Sequence, residues 1–310
     1  MNDQDWLAER FQEQRPHLRA VAYRMLGSIS EAEDALQESW LRVSRSDTSG
    51  VHNLGGWFTT VVARVALNML QARRAKREES LEARLPDPIV TTDDEVDPEH
   101  EALIADSVGL ALLVVLETLA PAERLAFVLH DMFAVPFDEI ASITGRSPAA
   151  ARQLASRARR RVRGQAPVPD ADLARQRSVV DAFFAAAREG DFDSLLAVLD
   201  PDIVLHEDGG TRQARGVIRG ARAVAERALT FRHLSPDVRP ALINGTAGVL
   251  VVPGGRLFAV MGFTVSDGKV VEIDVLADPR RLGELERPSD SRSALVIPTG
   301  RSLTDRALPE

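Results

Sequence analysis

The sequence predicts a multidomain chain in which two all-α domains precede an α+β domain. Three observations predict it. Apolar residues recur at three- and four-residue steps from Trp6 to Lys76 and again from Glu101 to Arg163. Within the second stretch, Phe137 to Arg163 carries the punctuation of a helix-turn-helix. From Ile203 onward the chain turns strand-like and Gly-punctuated, and helices followed by strands make an α+β pattern. The expected boundaries are 1–84, an acidic Pro-containing linker at 85–104, 105–164, 170–285 and a polar tail at 286–310.

In the first helix Trp6, Phe11, Leu18, Val21, Ala22, Met25 and Leu26 form one face, and Gly27 ends it. Ser30 and Glu33 have capping-box spacing and start a second helix, which runs to about Val43. A polar loop follows. A third helix then buries Trp57, Phe58, Val61, Val62, Val65, Ala66, Met69 and Leu70 and ends in the basic run Arg73-Arg74-Ala75-Lys76-Arg77. Pro86, Pro88 and Pro98, with Asp93, Asp94, Glu95, Asp97 and Glu99, predict an extended, self-repelling linker. Helices are expected at about 101–119, from 121 to 163, at 172–188, to Leu199 and near 222–229. Strands of an antiparallel sheet are expected at 203–205, 247–252, 257–265 and 270–275.

The chain has no cysteine, which excludes disulfides, thiolate metal sites and a Cys nucleophile. Its six histidines are scattered, so no metal and no cofactor is expected. The first residues are acidic and polar, unlike a signal peptide, and no run approaches the ~18 apolar residues of a membrane span. A cytoplasmic protein without membrane contact is expected. The net charge of −8 argues against nucleic-acid binding, but it hides a segregation, since Ser147 to Arg163 contains no acid.

That basic segment is the second helix of the helix-turn-helix. Gly145 suits the left-handed turn, Ser147 the N-cap and Pro148 the first helical position. Ala141 is small where the helices cross, and Ala151 and Leu154 seat one helix on the other. The exposed face offers Arg152, Gln153, Ser156, Arg157, Arg159 and Arg160 for DNA. Arg152 and Gln153 suit base edges, and Arg157, Arg159 and Arg160 suit phosphates.

Glu31 to Arg42 resembles the helix with which RNA polymerase sigma factors grip the polymerase. Trp57 to Asn68, leading into Arg73-Arg74, resembles their −10-melting helix. Leu119 to Arg124 and Glu139 to Arg159 resemble their −35-reading region 4. The resemblance, to the extracytoplasmic-function type, implies core RNA polymerase and promoter DNA as partners. Asp34, Gln37, Glu38 and Arg42 lie on one helix face and would dock on polymerase; Arg64, Arg73, Arg74 and Lys76 would hold DNA beside a base pocket in loop 44–53. Trp57 is read as core in preference to a stacking platform. Asn68 and Gln71 stand where relatives tend to carry Asp and Arg.

Residues 169–285 resemble a SnoaL-like domain of the cone-shaped nuclear-transport-factor-2-like fold, carried by Val179–Asp191, Leu195–Ile203 and Asp208-Gly209-Gly210. Sigma factors fused to such a domain form a group, whose likeness here extends to Leu85-Pro86-Asp87-Pro88 and Asp278-Pro279-Arg280-Arg281-Leu282. The resemblance implies that the domain modulates the sigma core in cis. Leu85, Pro86, Asp87, Pro88, Asp208, Gly209, Gly210, Asp278, Pro279 and Leu282 are therefore expected to lie near one another. Relatives of the cone include cyclases and isomerases, and His206, Asp208 and Asp274 would be the acid/base set of that alternative. A structural contact surface is preferred to catalysis, so no catalytic residue is assigned, and a small-molecule ligand in the cone stays open. A ligand-sensing helix-turn-helix repressor is the further alternative. The free chain is expected to be a monomer.

Overall fold

A computed structural model describes residues 3–48, 50–77, 85–92, 109–211, 214–232 and 237–285. Three helices open the chain: α1 (Asp3–Leu26), α2 (Ile29–Val43) and α3 (Leu54–Arg77). Their facing stripes bury Leu18, Val21, Met25, Leu36, Phe58 and Val62, and this shared apolar burial holds the bundle. Phe11 packs its ring on Trp40 and Phe58 with centroids at 5.4 and 5.3 Å. The start of α2 differs from expectation by two residues. Ser28, not Ser30, accepts the Glu31 amide, and Glu33 pairs with Arg15 and Arg19 instead of closing a capping box.

The second block is α4 (Leu110–Glu117), α5 (Pro121–Phe127) with a π-helical turn at Val128–Met132, α6 (Phe137–Thr144) and α7 (Pro148–Gln165). The helical run expected from Pro121 up to the turn at Gly145 is broken. Ala134 takes a positive φ of 53°, and Pro136, which has no amide to donate, stands at the N-cap of α6. The turn between α6 and α7 has Gly145 at φ 65°, and Ser147 accepts the Ala150 amide. Ala141, Ala151 and Leu154 are buried where the two helices meet.

The remainder is a seven-stranded sheet with helices α8 (Leu173–Glu189), α9 (Phe192–Val198), α10 (Ala221–Thr230) and α11 (Pro279–Leu285). Its strands are β1 (Val90–Thr91), β2 (Leu199–Asp208), β3 (Arg215–Arg219), β4 (Val238–Ile243), β5 (Thr246–Val251), β6 (Ala259–Ser266) and β7 (Lys269–Leu276), in the order β1-β4-β5-β6-β7-β2-β3. The expected all-antiparallel sheet is corrected at one place: β2 and β7 run parallel, with four other strands between them in the chain.

The two faces of the sheet have different neighbours. Inward, Val249, Val251, Phe263, Val265 and Ile273 pack with Phe183, Phe184 and Leu195 of α8 and α9 to fill a cone. Outward, Ile243, Leu250, Val260 and Leu276 share one apolar cluster with Leu110, Leu116 and the first bundle. Leu85 to Val90 lies in that junction, fully buried, and β1 pairs with the sheet edge (Val90↔Ile243). This part of the expected linker is therefore extended but packed, because its apolar residues continue the outward face. The acids expected to repel one another, Asp93 to Glu99, lie outside the described residues, as does the tail 286–310.

Candidate functional site

Asp34, Gln37, Glu38 and Arg42 all stand exposed on α2, opposite buried Ala32, Ala35, Leu36 and Ser39. Glu38 and Arg42 pair with each other at 2.9 Å, an exposed i,i+4 contact of little energy. On α7, Arg152, Gln153, Ser156, Arg157 and Arg160 are exposed. Arg152 lies over the Phe137 ring, and Arg159 is held by Asp131 at 2.7 Å. Trp57 is half-buried against the first core.

The two helical blocks touch. Arg64 of α3 donates to the Ser142 carbonyl of α6 at 3.3 Å. Arg73 corrects its expected role in this conformation, since its guanidinium is taken up by Glu31 (2.9 Å), Glu117 (3.1 Å) and the Leu26 carbonyl. Glu117 also receives Arg124, fully buried, at 2.7 Å. Gly27 makes room for this network: it ends α1 at φ 69°, and a Cβ there would stand 2.6 Å from the Glu117 carboxylate. Arg74 is exposed; the side chain of Lys76 lies outside the described residues.

A third assembly joins both helical blocks to the cone. Asp87 donates its amide to the Gly27 carbonyl (2.7 Å), and its carbonyl accepts the Tyr23 hydroxyl (2.6 Å). Its carboxylate accepts the Ile29 amide (3.1 Å) and Arg281 (2.9 Å). Arg281, only 4% exposed, also donates to Asp208 (2.9 Å) and to the Leu85 carbonyl (2.8 Å). Asn244, in the β4–β5 turn, donates to the Tyr23 hydroxyl and accepts the Ile89 amide, both at 3.0 Å. Burial pushes the Tyr23 hydroxyl pKa far up, against the Asn244 hydrogen bond.

Of the residues expected here, Leu85, Asp87, Asp208 and Leu282 are buried at this junction with Pro86 and Pro88. Gly210 donates its amide to Asp208, and at φ 82° it sits so close to Asp278 that a Cβ would stand 2.6 Å from that carboxyl carbon. Pro279 opens α11 exposed. Arg281 lies in the segment 278–282 expected here, though no role was given to it by itself; sequence reasoning missed Tyr23 and Asn244. The available signal was charge: two acids drawn into one junction require a shared cation.

Burial alone would raise the Asp208 carboxyl. Hydrogen bonds from Arg215 and Gly210 and the Arg281 charge outweigh it and hold that carboxyl below the usual range. The cone encloses a cavity of about 290 Å³, lined by Phe183, Phe184, Val251, Phe258 and Met261, with an Arg227–Glu207 pair at 2.8 Å. His206 and Asp274 are not in its lining, so the expected acid/base set does not form inside the cone. The strand pleat turns them to the other face with Glu272. That face is not solvent at these two acids: Glu272 and Asp274 are buried. His206 Nδ1 is 3.0 Å from Asp274 and 3.4 Å from Glu272. Burial opposes charge on His206, but the Asp274 hydrogen bond and the two neighbouring carboxylates raise its pKa to about 9; burial pushes both carboxyls up.

Family models described as Sigma-70 region 2 and Sigma-70, region 4 match residues 11–77 and 109–162. The chain is 39% identical over 307 residues to the ECF RNA polymerase sigma factor SigJ of Mycobacterium tuberculosis (strain ATCC 25618 / H37Rv), covering 94% of this chain and 96% of the relative. It is 32% identical over 287 residues to a probable ECF RNA polymerase sigma factor, SigI, of the same species, covering 92% and 98%. The crystal structure of the Mycobacterium tuberculosis extracytoplasmic function sigma factor SigJ superposes with a TM-score of 0.72 at 36% identity, covering 89% of this chain and 98% of that one. Among the described residues no helix is long and apolar enough to cross a membrane.

Proposed function

The chain belongs to the extracytoplasmic-function RNA polymerase sigma factors, and on that premise we propose a promoter-specificity subunit governed by contact with its own C-terminal domain. The exposed face of α2 docks on core polymerase. Loop 44–53, Arg64 and Arg74 hold the unpaired strand of the −10 element. Helix α7 reads the −35 element through Arg152 and Gln153, with Arg157 and Arg160 on phosphates. The protein acts as a cytoplasmic regulator without catalysis of its own, and as a monomer until it meets polymerase.

Elements at −10 and −35 lie about 25 base pairs apart, roughly 85 Å of duplex. Arg64 of the −10 helix, however, touches Ser142 of the −35 reader. One chain cannot serve both elements in this form, so it is a closed form and promoter use requires opening. The observation that carries the regulatory reading is Arg281, which ties Asp87 of the linker to Asp208 of the cone in a buried site.

Run-off transcription with core polymerase tests this, using the whole chain, the chain ending at Gly164, and full-length Arg281→Met. Promoter-dependent transcripts from all three are expected, with both altered chains more active at equal concentration. No transcript from any would contradict the promoter role, and equal activity the regulatory one.

A second reading adds a ligand. The cavity is apolar and shares Asp208 and Arg215 with the latch. An apolar molecule with an anionic head that draws Arg215 from Asp208 would loosen that latch. A fatty-acid series should raise the unfolding midpoint of the protein and not of Arg215→Ala; no shift with any member would rule this out.

A further inference from the structure

His206, Glu272 and Asp274 take no part in docking, DNA reading, the latch or the cavity. Their geometry is nonetheless built. Glu272 and Asp274 stand two apart on β7 and so share a face, while His206 on the parallel neighbour β2 is in register with Asp274. One ligand atom from each lies within 4.8 Å of the other two. Side-chain exposure falls from 18% at His206 to 7% at Glu272 and 2% at Asp274, so the cluster opens to solvent only through the imidazole.

The hydrogen bonding is incomplete. His206 Nδ1 has one proton to share, and Asp274 takes it at 3.0 Å. Glu272 Oε1, buried and 3.4 Å from the same nitrogen, has no hydrogen-bond partner among the described residues. An ionised carboxylate buried in this way costs several kcal/mol unless a cation meets it. His206 is the nearest cation but gives its one Nδ1 proton to Asp274, and Arg219, exposed on β3, acts on Glu272 only through its charge.

We propose that His206 Nδ1, Glu272 and Asp274 form a binding site for a divalent first-row transition metal, with Zn²⁺ the reference ion. One imidazole and two carboxylates supply three ligands of a tetrahedral centre and leave the fourth to a water. Metal–ligand bonds of about 2.0–2.2 Å place neighbouring ligand atoms roughly 3.3–3.6 Å apart, close to the 3.0 and 3.4 Å observed here. Three donors are too few for Ca²⁺, and an imidazole is a poor partner for Mg²⁺. On β2 the next residue of the same face is Asp208, so a bound ion would tie β2 to β7 one pleat from the latch.

The test is calorimetric titration of the metal-free full chain with Zn²⁺, Mn²⁺ and Mg²⁺, beside His206→Ala and Glu272→Gln. One equivalent of Zn²⁺ should bind, at least tenfold more weakly in each variant, with Mg²⁺ giving no saturable heat. Zn²⁺ should also raise the thermal midpoint of the unaltered chain and shift the His206 imidazole nitrogen resonance, which needs no variant to fold. Absence of stoichiometric binding, binding undiminished in His206→Ala, or an unmoved His206 resonance would overturn the site.

Discussion

At Arg281 one guanidinium serves two carboxylates, and all three side chains are withdrawn from water. Removing the cation leaves Asp87 and Asp208 facing each other across a buried gap. Arg281→Met is therefore expected to cost about 3–5 kcal/mol of the contact between cone and linker. Hydrogen exchange at the Ile29 amide, which donates to Asp87, reads this out; unchanged protection would count against the latch. On α7 the residues divide by what they reach. Arg152→Ala should weaken promoter use by about 1–3 kcal/mol and relax −35 specificity, whereas Arg160→Ala should weaken all sequences alike. Equal losses from both across −35 variants would overturn the base-reading assignment. The face of α7 was legible because cap, turn and charge are local signals. Arg281 was not, since its two partners stand far from it in sequence.

At the scale of elements, legibility followed locality as well. The helix-turn-helix appeared with its turn and cap where residues 144–148 required them. Strands β1, β3 and β4 were missed for physical reasons. Two residues cannot show a period, Arg215–Arg219 is a polar edge, and Pro240 interrupts the alternation of β4. The parallel pairing of β2 with β7 is likewise tertiary, with nothing local to announce it. Docking of α4 and α5 on the first bundle depends on Gly27, which needs both its left-handed backbone and its bare face toward Glu117. Gly27→Ala should cost at least about 1–2 kcal/mol from backbone strain alone and separate Arg73 from Glu117. Gly164→Ala, helical with open space around it, should instead be neutral or gain up to about 1 kcal/mol. Denaturant unfolding of the two variants checks the contrast; equal effects would contradict the role given to Gly27.

At the scale of the molecule, one apolar cluster runs from the first bundle through α4 and the linker to the outward face of the sheet. The cone thus acts as a platform on which both DNA-reading blocks rest, and Asp87, Tyr23, Asn244 and Arg281 pin the junction. The resemblance of three segments to known parts implied the order of domains. How they pack could not be read from them, because it is decided where side chains of different domains meet. If the latch keeps the free chain closed, a distance measures it. The sequence has no cysteine, so Gln12→Cys and Gln165→Cys, both at exposed positions, give a single pair of spin labels from α1 to the end of α7. One narrow distance distribution is expected in the free protein, and a longer, broader one both in the Arg281→Met background and on core polymerase. An identical distribution in the free protein with and without Arg281 would contradict it.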